Sequence, residues 1–168
     1  KIIKINKFIP PRATPSHAKN IMGTLEHIQT GPDTNIRPTL DQMADRIKKR
    51  GLVILISDLM DDPDAVLMGL NHFRHNKQEV IVFHLIDQTE IDFDFDRPTR
   101  FMDLEGGVPI MADPNLIARQ YQQSMSDYLS DLSDVMLEAA VDYHRVNLRD
   151  PVDQVLARFL IGRQHGKR

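Results

Sequence analysis

The sequence has no cysteine among its 168 residues. That excludes a disulfide framework, a thiolate metal site and a cysteine nucleophile. It also lacks a long apolar stretch. The longest clean run, Leu52 to Ile56, falls far short of the roughly 20 residues that cross a bilayer. No signal-peptide pattern stands at the start. Positive charge is not in excess: Lys and Arg number 21 against 24 Asp and Glu, a net charge of −3. That balance argues against a general binder of polyanions, so no nucleic-acid partner is expected. A Gly-x-x-x-x-Gly-Lys-Ser/Thr segment is missing, which excludes nucleotide hydrolysis through a phosphate loop. Ser57 has no Gly-x-Ser-x-Gly context, which removes a nucleophile elbow. There is no internal repeat and no low-complexity segment.

What is present reads as one ordinary globular domain. Hydrophobic residues make up 41% and charged residues 27%. A chain of this length buries roughly 70% of its unfolded surface, enough for a core without staples. The domain is expected over residues 1–162, followed by a basic tail over 163–168 that should fray.

Proline marks the helix starts. Thr14-Pro15, Asp62-Pro63, Asp113-Pro114 and Asp150-Pro151 each pair an N-cap residue with Pro at the first helical position. Pro38 follows Asp33-Thr34-Asn35 in a similar way. Apolar residues recur after each with a helical period. The spacing predicts helices over 15–29, 38–49, 63–75, 114–140 and 151–162. Between them lie Leu52 to Ile56, just after the helix-stopping Gly51, and Val80 to Ile86. Short runs rich in β-branched residues and alternating with helices read as parallel strands buried on both faces. A weaker strand is predicted over 143–148. Ile91, Phe93 and Phe95 alternate with acids, and Glu105-Gly106-Gly107 supplies a turn. The segment 91–111 therefore reads as an antiparallel hairpin on the edge of the fold. Residues 1–9 alternate as a further strand that stops at Pro10-Pro11. The fold class is α/β, a mostly parallel Rossmann-like sheet with helices on both faces and an edge hairpin.

Open α/β sheets bind ligands outside the carboxyl ends of their strands. The first buried strand ends in Ser57-Asp58-Leu59-Met60-Asp61-Asp62, which places three acids at that edge. Hard cations such as Mg²⁺ take carboxylate and hydroxyl oxygens. Asp62 is first of all the cap of the next helix, whereas Asp58 directly follows the apolar run. The loop Gly31-Pro32-Asp33-Thr34-Asn35 precedes the helix that leads into the same strand. His84 falls inside a buried strand and reads as a hydrogen-bonded core histidine. His72 and His75, three apart on a helix, read as surface residues. Asp92, Asp94, Asp96, Asp103 and Glu105 make the hairpin acidic, a solvated edge that discourages sheet-to-sheet pairing.

Gly31 to Asn35, a helix, and then Arg50 through Pro63 resemble a von Willebrand factor A-type domain. More closely, they resemble the bacterial family catalogued as domain of unknown function fifty-eight. The likeness continues through Glu79 to His84, Phe101 to Glu105 and the long fourth helix, and includes Ile9-Pro10-Pro11-Arg12. It thus covers nearly the whole chain. The resemblance implies a metal-ion-dependent adhesion site, which combines an Asp-x-Ser-x-Ser loop, a Thr from a second loop and an Asp from a third. Thr34 stands at the second position and Asp58 at the third, with Ser57, Asp61 and Asp33 at the site's edge. The chain opens on Lys1 rather than Met and is expected to be a piece of a longer protein, beginning after the strand that carries the first element. Asp131-Leu132-Ser133-Asp134-Val135 looks similar to that element. However, it has Val135 where a Ser is required and lies inside the long helix.

The resemblance further implies Mg²⁺ in the full-length protein. Two ligands do not satisfy its octahedral geometry, so the isolated chain is expected to be metal-free. It also implies a protein-binding module in which an acidic side chain of the partner completes the coordination. The implied partner is a MoxR-type AAA ATPase in an assembly or chaperone-like role, in the cytoplasm or on the cytoplasmic face of the membrane. The alternative is a Mg²⁺-dependent phosphoryl-transfer enzyme or receiver-like domain using Asp58. That chemistry needs a Lys at a later strand end. Asp87 and Gln88 follow the second strand instead, which favours binding over catalysis.

Overall fold

In the computed structural model, the described residues are 7–27, 36–95, 97–102 and 109–165. The sheet that organises them has three parallel strands. β1 (Leu52–Ser57) pairs with β2 (Glu79–Ile86), and β2 pairs with β3 (Asp142–Asn147), so β2 is central. The register sets Leu55 opposite Val82 and Val82 opposite Tyr143. β2 is buried on both faces over Val80–Phe83, as its unbroken apolar run requires.

The helices are α1 (Pro15–Glu26), α2 (Ile36–Arg46), α3 (Pro63–His75), α4 (Gln88–Asp92), α5 (Pro114–Glu138) and α6 (Val152–His165). Asp62 caps α3 by accepting from the Asp64 amide at 3.0 Å, and Asp113 caps α5 by accepting from the Asn115 amide at 3.0 Å. Proline follows each cap at the first helical position, where its missing N–H costs nothing. α2 begins two residues before the predicted start at Pro38. Its first amide is satisfied from another part of the chain, since the Ile36 N–H donates to Asp61 Oδ2 at 2.9 Å.

One sheet face carries the main core. Val53 and Leu55, Val80 and Val82, and Tyr143 pack against Leu40 and Ala44 of α2, Val66, Leu70 and Phe73 of α3, and Leu132 and Met136 of α5. The other face is served by α6, where the Phe159 ring meets Phe83 edge-on at 5.1 Å. α6 extends to His165, past the boundary expected at 162, and Arg163 is held to Glu79 at 2.6 Å. α2 ends at Arg46, short of the boundary expected at 49, so Gly51 follows a non-helical link and does not itself stop the helix. The Gly51 N–H donates to Gln78 Oε1 at 2.7 Å, and the buried Gln78 also donates to the Lys49 carbonyl at 3.0 Å.

The hairpin needs correction. Residues 88–92 form the short helix α4 instead of a strand. Asp87 and Glu90 build a reciprocal capping box, and Phe93 ends the helix with φ 49°. That local hydrogen bonding outcompetes the period-two pattern. The aromatic residues of the segment gather on α5, with Phe93 stacked on Tyr121 at 4.2 Å and Phe101 on Phe93 at 5.7 Å. The two strands that do form, β4 (Thr99–Phe101) and β5 (Ile110–Ala112), pair antiparallel as a separate sheet and not at the edge of the parallel one. Asp103, Glu105 and residues 1–6 of the expected first strand lie outside the described residues.

Candidate functional site

The chain leaves β1 at Ser57 and turns sharply. Leu59 adopts φ 53°, a left-handed backbone that a branched side chain takes only under constraint. Its side chain is 1% exposed, buried in the main core, so the turn is anchored from below. The Ser57 hydroxyl accepts from the Leu59 N–H at 3.1 Å. Among the described residues, the contacts to Asp58 Oδ1 are long, from the Met60 N–H at 3.4 Å and the Ser57 hydroxyl at 3.5 Å.

The neighbouring acids are otherwise engaged. Asp61 uses both carboxylate oxygens on backbone amides, Oδ2 on Ile36 and Oδ1 on Asp62 at 2.8 Å. Asp62 caps α3. Ser57 and Asp61, expected at the site's edge, thus shape the turn and tie it to the start of α2. Asp58 is the acid of this loop least committed to protein donors. Thr34 and Asp33 lie outside the described residues, so their approach to Asp58 lies there too. The described residue nearest to them in sequence, Ile36, is bonded to Asp61 at the carboxyl edge of the sheet.

Two tyrosines and a histidine support the turn. The Tyr128 hydroxyl donates to the Leu59 carbonyl and lies 3.3 Å from that of Asp61. Burial pushes its phenol up, and the Asp58 and Asp61 carboxylates add to the shift. His84 is a buried, hydrogen-bonded core residue, as its strand position predicted. Its Nδ1 lies 2.6 Å from the Tyr143 hydroxyl. Burial lowers the His84 imidazole against the opposing hydrogen bond to the Asp58 backbone, and burial raises Tyr143 to about 12. Tyr128 sits on the apolar stripe of the long helix in the sequence, and nothing in that stripe says which loop its hydroxyl meets. Beside the turn, Met60, Asp61, Tyr121, Ser124, Met125 and Tyr128 line an open cleft of about 400 Å³.

The histidine pair reads plainly. His72 Nδ1 lies 3.2 Å from Asp41 and its Nε2 3.5 Å from Asp45, an α2–α3 contact. Among the described residues, no three His, Cys, Asp or Glu side chains are grouped to hold a metal. Asp58 and Asp61 are the described carboxylates at this edge besides the capping Asp62, and each Asp61 oxygen already accepts one backbone amide. Among the described residues, no helix is long and apolar enough to cross a membrane.

An α/β sheet with an acidic turn at its carboxyl edge is the class that fold and loop define together. The chain belongs to the family described as protein of unknown function DUF58, whose model matches residues 2–131. No curated protein and no solved structure matches it.

Proposed function

We propose that the chain is a protein-interaction module of the von Willebrand A type that meets its partner at the carboxyl edge of the sheet, around Asp58. The observation that carries this reading is the division of labour in the turn. Asp61 and Asp62 accept backbone amides at 2.8–3.0 Å, whereas among the described residues Asp58 stands at a strand end with long contacts. Strand ends of this kind are where open α/β sheets bind. In this reading Asp58 supplies one oxygen to a cation site completed by Thr34 and by residues outside this chain. The partner is a protein, a MoxR-type AAA ATPase in an assembly or chaperone-like role.

The alternative, phosphoryl transfer from Asp58, finds less support. The loops directly after β1, β2 and β3 carry Asp58, Asp87 and Arg149, and no lysine. Arg149 is directed to Thr89 at 3.0 Å and Asp87 at 3.7 Å. The deciding experiment is capture of a purified MoxR-type ATPase by the intact protein, with and without EDTA, beside a thermal melt. Asp58→Ala is expected to abolish capture and leave the melt within a few degrees, because this side chain contributes no core packing. Normal capture by Asp58→Ala, with no effect of chelator, would sink the reading.

A further inference from the structure

The backbone of the turn is gripped from the long helix. Tyr128, on α5, donates to the Leu59 carbonyl, and its hydroxyl lies 3.3 Å from the Asp61 carbonyl. Leu59 holds its left-handed conformation at that grip. A strained residue persists only where its surroundings over-determine it, and here the surroundings are a buried leucine side chain below and the phenol of α5 above.

Resting on the reading that Asp58 faces the partner, we propose that Tyr128 is a positioning residue that clamps the turn. It fixes the backbone just after Asp58, so the carboxylate is presented outward before the partner arrives. A turn ordered in advance spares the binding step the cost of ordering it. Tyr128 does not touch the partner in this scheme; it acts through Asp58.

The test compares Tyr128→Phe and Asp58→Ala in the intact protein. Amide exchange over residues 59–62 and capture of the purified MoxR-type ATPase are measured for each. Tyr128→Phe is expected to speed exchange in the turn about tenfold while amides of β1 and β2 keep their rates, since one local hydrogen bond is lost. Capture should weaken by about the same factor. Unchanged exchange in Tyr128→Phe would overturn the clamp. Equal acceleration in the turn and in β2 would do the same, because that is a packing effect. A loosened turn with wild-type capture, where Asp58→Ala captures nothing, overturns the positioning role alone. Wild-type capture by Asp58→Ala overturns the interaction reading, and the role assigned to the clamp falls with it.

Discussion

Gly69 shows how a single position decides the fit of two helices. It lies inside α3, where glycine is ordinarily a weakness and alanine would gain about 1 kcal/mol. A Cβ there would stand 2.7 Å from Leu40 Cδ1 and 2.9 Å from Leu40 Cβ. Leu40 is 5% exposed and its Cβ cannot swing aside. The overlap outweighs the propensity, and Gly69→Ala is expected to cost about 1–3 kcal/mol in chemical denaturation. A stabilised variant would show that α2 and α3 slide apart freely. His84 sets a pH dependence at the same scale. Its folded-state imidazole titrates below the ordinary 6.5, chiefly through burial. The unfolded chain therefore binds the proton first as pH falls below that value, and stability drops with it. Asp87 is lowered by its hydrogen bonds from Thr89, and its stabilisation is lost only as pH falls through and below 3.8. The two windows do not overlap. Denaturation curves between pH 7 and 5 should therefore slope more steeply for the wild type than for His84→Gln, and equal slopes would remove His84 as the cause.

Strands and helices were legible in proportion to how local their causes are. β1, α3 and the start of α5 are set by an apolar run, a capping aspartate and a proline, all contiguous in sequence, and they fall where the sequence puts them. The first described amide of α2, Ile36, bonds to Asp61, a contact no contiguous reading reveals. The hairpin was misplaced because alternation in Ile91, Phe93 and Phe95 competes with the Asp87–Glu90 capping box, and the box wins. At the candidate site, the position of Asp58 at a strand end was legible from the buried run before it, whereas the contacts of Tyr128 and Tyr143 span many residues of separation and were not. β1 carries an expected consequence as well. Among the described strands it pairs with β2 alone, and Leu52, Ile54 and Ile56 are about half exposed or more on the face away from the main core. An unpaired apolar edge is a template for association. Ile56→Lys is expected to raise the concentration at which light scattering begins and to move stability by no more than about 0.5 kcal/mol, as exposed substitutions do. If aggregation persists unchanged, another surface drives it.

The whole molecule is unevenly supported, and that asymmetry should show in how it opens. On one face α2, α3 and α5 bury a continuous core in which Val66, Val82 and Leu132 are fully inaccessible. On the other face α6 rests on the sheet through Phe159 against Phe83 and His144, with Arg163 reaching Glu79. Its Leu156, Leu160 and Ile161 remain exposed. An open cavity of about 900 Å³ lies between α6 and the strands, lined in part by His144, Arg158 and Phe159. Few apolar groups leave water when this helix docks, so its opening costs far less than global unfolding. Amides of α6 should therefore exchange through a local opening, well ahead of those in β2, α3 and α5. Phe159→Ala should accelerate exchange in α6 and lower the thermal midpoint only slightly. Leu132→Ala removes a side chain from the closed face and should cost about 2–5 kcal/mol, speeding exchange across the core together. The pair of variants separates two folding units from one. If Phe159→Ala lowers the midpoint as far as Leu132→Ala and accelerates both faces alike, α6 unfolds with the core, and the sheet is held from both sides after all.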